Sequence, residues 1–210
     1  MTHARAERAE LSDLFLRLGP DAPTLCEGWT AFDLASHLVL RERRLDALPG
    51  IALPALAGHT AKVQESLKAR HGFAGLVELV RSGPAGIYGL VPGMDAAVNT
   101  IELFVHHEDL RRAQRTWEPR TLPADLEELF WRRVRAARGL LLRRSPVGVA
   151  LHRIGGGVAL GGPSGGARIE VTGPASELLL FCFGRQAHAR VDLSGEDAAV
   201  ARLMDASLGV

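Results

Sequence analysis

The 210-residue sequence predicts an α+β protein, helical at first and mixed towards the end. Three observations carry that reading. Apolar residues recur at helical spacing from Ala4 to Arg143. At Ser145-Pro146 the pattern changes to short runs of Val, Ile and Leu joined by glycine-rich turns. Hydrophobic residues make up 47% of the chain, enough to bury a substantial core. The expected division is a helical domain at 1–144 and a small α+β domain at 145–210.

Each element has its own signal. Ala4 to Leu18 places Leu11, Leu14, Phe15 and Leu18 on one helical stripe, and Gly19-Pro20 ends it. Thr30 and Asp33 form a capping-box signal that opens a helix to about Leu48. Pro49 to Gly58 reads as a connection, Thr60 to Ala69 and Phe73 to Arg81 as helices, and Ser82 to Gly93 as a loop. A helix runs from about Asp95 to Gln114, and another from Ala124 to Arg143. Val147 to Ile154, Gly157 to Leu160 and Ala167 to Thr172 then read as a small meander of strands. Pro174 suits the first turn of a helix over Ala175 to Phe183. Ala189 to Leu193 is a further strand, and Ser194 with Asp197 caps a last helix through Met204.

Composition excludes several functions. With 25 basic and 24 acidic side chains the formal net charge is +1, so neither nucleic acid nor an anionic membrane is expected as a partner. Charges interrupt Met1 to Glu10, which leaves no signal-peptide core, and no apolar run approaches a bilayer span. Cys26 and Cys182 form no CxxC pair, and a reduced, cytoplasmic protein is expected. The glycine runs at 155–157 and 161–166 match no phosphate-binding fingerprint and read as turns. The arginines from Arg132 to Arg144 read as a solvated or interdomain face.

One segment carries chemistry. In Asn99-Thr-Ile-Glu-Leu-Phe-Val-His-His-Glu-Asp-Leu110, Glu102 and His106 stand four residues apart on one helix face. Asn99, Glu102, His106 and Asp109 form a polar line beside apolar Val98, Ile101 and Val105, and such a line needs hydrogen bonds, ion pairs or a metal. His37, in Asp33-Leu-Ala-Ser-His-Leu38, is the candidate third ligand from a second helix. Two imidazoles and one carboxylate leave a coordination position open, as catalytic zinc sites do. His107 lies about 100° around the helix from His106 and is expected behind the ligands or in solvent. Glu102 paired with an arginine, or the line facing solvent, is the competing reading.

The loop Leu25-Cys-Glu-Gly-Trp-Thr30, the helix Asp33-Leu-x-x-His-Leu38 and the helix Glu102-x-x-Val-His-His-x-Asp-Leu110 resemble the DinB-like metal-binding superfamily. Within it they are most similar to the mycothiol-dependent maleylpyruvate isomerase branch, and closest to a metal-binding subgroup for which no particular reaction is implied. Val171-Thr-Gly-Pro-Ala-Ser-Glu-Leu-Leu-Leu180, Gly184-Arg185 and Val191-Asp-Leu-Ser-Gly195 resemble the small α+β domain of that branch. The resemblance implies an N-terminal DinB-like four-helix bundle with His37, Glu102 and His106 as ligands of a divalent metal, zinc first, although nickel, iron or manganese suit the same donors. It also implies mycothiol or a similar low-molecular-weight thiol as co-substrate, a small-molecule electrophile as its partner, and compatibility with a homodimer. The expected activity is a metal-assisted thiol transferase or isomerase. A metal-dependent hydrolase using bound water, and a non-enzymatic metal-stabilised binding or stress-response module, remain the alternatives. Asn99, His107 and Asp109 are expected around the ligands rather than among them.

Overall fold

The computed structural model describes residues 2–44, 46, 47, 49–84 and 94–209. By contact the chain divides into two units, Met1–Trp117 and Glu118–Val210. The first is helical and the second mixed, so the protein is α+β.

Among the described residues of the first unit, four helices are long. α1 (His3–Leu18) starts at Thr2, whose hydroxyl accepts the Arg5 N–H, and stops at Gly19, where φ is 85°. Its stripe of Leu11, Leu14 and Phe15 is buried. α2 (Ala31–Arg43) opens with the expected capping box: the Thr30 N–H donates to Asp33 Oδ2 at 2.9 Å, and Thr30 Oγ1 accepts from the Asp33 N–H. It ends earlier than Leu48, because Arg44 pairs with Asp46 and the Ala47 N–H closes a turn on the Arg44 carbonyl. The Pro/Gly connection contains a helical turn, α3 (Pro49–Ala52), and a 3-10 turn at Pro54–Leu56. Each starts on a proline, whose missing N–H costs nothing at a first turn. Gly50 sits so close to the next helix that a Cβ there would lie 2.1 Å from Thr60 Oγ1.

α4 (Ala57–Ser82) joins the two helices read separately in the sequence, and Gly72 (φ 60°, ψ 177°) breaks it between them. Residues 85–93, read as loop, lie outside the described residues. α5 (Met94–Arg112) follows. α1 packs on α4 and α5, and α2 packs on α4. Leu11, Phe15, Leu34, Leu38, Leu76, Leu103 and Leu110 share one core.

A buried ion pair ties three of these helices. Arg8 on α1 donates to both carboxylate oxygens of Glu42 on α2, at 2.8 and 2.6 Å, and to the Val80 carbonyl of α4 at 2.8 Å. The fork geometry satisfies both charges inside the core.

In the second unit, α6 (Ala124–Leu141) packs Leu126, Phe130 and Val134 within the unit, where its neighbours are α7 (Ala175–Cys182) and β2 (Val158–Gly161). The sequence counts this helix with the 1–144 region. The remaining strands are β1 (Gly148–Arg153), β3 (Arg168–Gly173) and β4 (Asp192–Ser194), in sheet order β2-β1-β3-β4. The strands are not a meander. β1 pairs antiparallel with β2 but parallel with β3, in the register Val149–Ile169 and Leu151–Val171. Val149, Leu151, Ile169 and Val171 are fully buried, so this register puts four apolar side chains on one face. α7 is buried along its whole length, and Glu127 caps it, accepting the Ser176 N–H at 3.0 Å and its hydroxyl at 2.6 Å. β4 begins later than expected, and Ser194 ends it. α8 (Asp197–Met204) therefore starts at Glu196 without a side-chain cap. Among the described residues no helix is long and apolar enough to cross a membrane.

Arg8→Ala or Glu42→Ala should each cost about 3–5 kcal/mol, because each strands the other charge in the core. Arg8→Met with Glu42→Leu should recover most of that loss. Urea midpoints of the three variants check both statements.

Candidate metal centre

From Ile101 to Leu110 every residue of α5 is buried except Glu102, which is half-buried. A helix enclosed on almost every side must find partners for its polar side chains within the protein. Glu108 takes Arg112 at 2.5 Å and Arg111 at 2.8 Å. His107 turns to α1, where its Nδ1 lies 2.8 Å from Glu7 Oε1. It is thus buried on the side of α5 that faces α1, neither in solvent nor beside the candidate ligands.

His106 faces α2. Its Nδ1 lies 3.0 Å from Asp109 Oδ2, and its Nε2 lies 3.8 Å from Glu102 Oε2. Asp109 is fully buried and its carboxylate accepts, so Nδ1 is the donor of this pair, and in the neutral ring Nε2 then carries the lone pair. Glu102 also meets Arg41 of α2, at 3.6 Å from the guanidinium, and Arg41 donates to Asn99 Oδ1 at 2.8 Å. The arginine partner of the competing reading is therefore present, although at a long distance.

His37 arrives from the second turn of α2. Its ring centroid lies 5.3 Å from that of His106 and 5.0 Å from that of Trp29. It is 8% exposed, and among the described residues neither ring nitrogen has a hydrogen-bond partner. Burial first, then its neighbours His106 and Arg41, push its pKa down to about 3. A neutral, buried imidazole without a partner is the state that a metal ligand requires. Asp33, one turn earlier, is spent on the cap and on Lys68 and does not orient this ring.

The loop before α2 completes the surroundings. A Pro23–Thr30 bridge closes it, the Thr24 hydroxyl donates to the Trp29 carbonyl at 2.9 Å, and the Leu25 N–H donates to the Asp109 carbonyl at 3.0 Å. This places Trp29 on His37, and Cys26 Sγ 3.3 Å from Asp109 Oδ2. A cleft of about 380 Å³ opens beside His37, lined also by Trp29, Gly50, Thr60, Ala61 and Gln64. Nothing in the sequence marks Thr60 or Gln64 for this position, since both sit among ordinary polar residues of a helix surface. His59 pairs with Asp46 at 3.1 Å in solvent, and His71 is exposed.

Donor atoms of Cys26, His106 and Asp109 lie within 4.8 Å of one another, as do those of Glu7, Glu10 and His107. The trio His37, Glu102 and His106 is not such a group. His106 is its hinge, with Glu102 on the same helix and His37 across the α2–α5 interface.

No family model matches the sequence, and no curated protein matches it either. Solved structures do. A mycothiol-dependent maleylpyruvate isomerase superposes with a TM-score of 0.56 at 18% identity, covering 92% of this chain and 91% of that one. The chain shares that fold. A histidine-to-alanine mutant of the mycothiol-dependent maleylpyruvate isomerase gives a TM-score of 0.57 over the same shares, again at 18% identity. The resemblance read from short motifs thus extends, as a fold, over nearly the whole length of the isomerase. At this identity the likeness concerns architecture and leaves the chemistry to the residues.

The two thiols should behave differently. Burial pushes Cys182 up to about 12, whereas Cys26 is partly exposed. Iodoacetamide at neutral pH should label Cys26 alone in the folded protein and both thiols in urea, as peptide mass spectrometry would read.

Proposed function

We propose that this protein is a metal-assisted, thiol-dependent transferase or isomerase, with a divalent ion held by His37, Glu102 and His106. The observation that carries the reading is the pairing of two differently prepared imidazoles. His37 is buried, neutral and without a hydrogen-bond partner, and His106 is held through Nδ1 so that Nε2 faces Glu102. Two imidazoles and a carboxylate suit zinc and leave room for a further ligand. When bound, such an ion lowers the pKa of a coordinated thiol or water and so supplies a nucleophile at neutral pH.

The chain's own residues have separable tasks in this scheme. Asp109 holds the His106 proton and orients the ring. Arg41 positions Glu102 and Asn99. Trp29 covers one face of His37 and, with Thr60, Gln64 and Ala61, walls the cleft in which a small-molecule electrophile would sit. A low-molecular-weight thiol as co-substrate is supported by the shared fold, since the neighbours of that fold are mycothiol-dependent.

The group Cys26, His106 and Asp109 offers an alternative ligand set. It is disfavoured because Asp109 Oδ2 is already bonded to both the thiol and the imidazole, and a metal there would have to displace both protons.

Metal analysis by plasma mass spectrometry, on protein made without a histidine tag, should find about one equivalent per chain, the stoichiometry of a single catalytic site. His37→Ala with His106→Ala should lose it while keeping the wild-type circular dichroism. Asp109→Asn should weaken metal affinity by about 10–100-fold. Turnover of electrophiles should need added thiol; turnover with water alone would favour the hydrolase. A folded wild type that takes up no metal, even after reconstitution, would sink the scheme.

A further inference from the structure

We propose that Cys26 is a positioning residue of this centre, its thiol acting through Asp109 to keep the His106 proton on Nδ1 and Nε2 available as a ligand atom. The inference rests on the reading of His106 as a ligand.

Two donors converge on one buried oxygen. Asp109 Oδ2 lies 3.3 Å from Cys26 Sγ and 3.0 Å from His106 Nδ1, and Asp109 is completely inaccessible to solvent. A carboxylate so placed must be stabilised by donors from the protein. The imidazole supplies one and the thiol another, from a different segment. While the thiol donates, Asp109 Oδ2 is held where it accepts from Nδ1. If the thiol is lost, the carboxylate loses the loop's grip on the oxygen that meets Nδ1 and is freer to turn away from the ring.

The backbone is arranged for this contact. The Leu25 N–H donates to the Asp109 carbonyl at 3.0 Å, so adjacent loop residues grip one α5 residue, one by main chain and the next by side chain. The Pro23–Thr30 bridge and the Gln114 side chain, which donates to the Pro23 carbonyl at 3.1 Å, tether the loop at its ends. A packing role and a positioning role predict opposite orders of substitution. If Cys26 only fills space, valine replaces it well and serine poorly. If it donates, serine keeps the function and valine removes it.

Both variants would be compared with the wild type in two ways. In the metal-free protein, nitrogen-15 spectra of the histidine rings at about pH 8, where an ordinary imidazole is neutral, report which His106 nitrogen bears the proton. A His106→Gln variant assigns the signals. Cobalt affinity, from competition with a chromophoric chelator, reports the ligand itself. Cys26→Val should move the His106 signals towards a tautomer mixture and weaken cobalt binding by about 3–10-fold, less than loss of Asp109 itself, while Cys26→Ser stays near wild type on both counts. Signals unmoved by Cys26→Val, or a larger disturbance by serine than by valine, would overturn the proposal. So would a thiolate-to-cobalt charge-transfer band that vanishes in Cys26→Ser, because Cys26 would then be a ligand. If the wild type takes up no cobalt, the metal reading fails, and the tautomer comparison in the metal-free protein still decides the positioning role.

Discussion

The first unit depends on how α5 satisfies its polar side chains while enclosed by protein. Between Ile101 and Arg112 it carries two imidazoles, three carboxylates and two guanidinium groups, of which only Glu102 and Arg111 are appreciably exposed. Each buried charge without a partner would cost several kcal/mol, on the order of the whole stability of a small domain. The helix therefore meets its neighbours as a set of matched groups as well as an apolar surface. Glu7 of α1 meets His107, and Arg112 pairs with Glu108 and stacks over Trp117, its guanidinium 4.6 Å from the ring centroid. The α2 side is the exception. There, among the described residues, His37 has ring contacts and no hydrogen bond, and the contact of Arg41 with Glu102 is long. Within a helix that otherwise leaves little unsatisfied, that under-saturated face is where a ligand has most to gain.

The loop from Pro23 to Thr30 works in the same setting. Its job is to end α1's excursion and start α2, which the capping box does alone. It nevertheless spends a main-chain donor on α5 and stacks an aromatic ring on His37. A loop that only connects two helices has no reason to reach a carbonyl inside a third. The reach is explained if the position of His37 relative to α5 matters to tenths of an ångström, as ligand geometry does.

Much of this was legible in the residues. Periodicity and punctuation located nearly all the helices, because a capping box, a Gly-Pro stop and a glycine break act locally. Gly72 even separated the halves of α4 where the apolar stripes separated. The α+β character and the shared fold were also readable, the latter from motif order along the chain. Sheet topology was not. Short strands of similar composition carry no address, and β3 beside β1 in parallel is settled by which faces bury together. Nor could the sequence group α6 with the strands, since its amphipathic face would suit either neighbour. At the candidate centre the spacing of Glu102 and His106 was informative, and the polar line through Asp109 was visible. What that line bonds to was hidden, because Cys26 lies 83 residues away in sequence.

His106 and His107 are neighbours committed to different sides of α5, one to Asp109 and the α2 face, the other to Glu7. That doublet works as a vernier. Rotating α5 about its axis by one residue would bring His107 to the side that His106 faces, displaced along the axis and separated from its carboxylate, and would set Glu108 where His107 meets Glu7. Side chains of one chemical kind thus do not make the two settings equivalent, because the carboxylates that receive them are spaced differently: one on the same helix three residues on, one on α1. The consequence is a helix whose azimuth is read twice, from two directions. An insertion or deletion in the preceding turn could not be absorbed by a compensating twist, whereas length changes beyond Gln114 would leave the setting untouched.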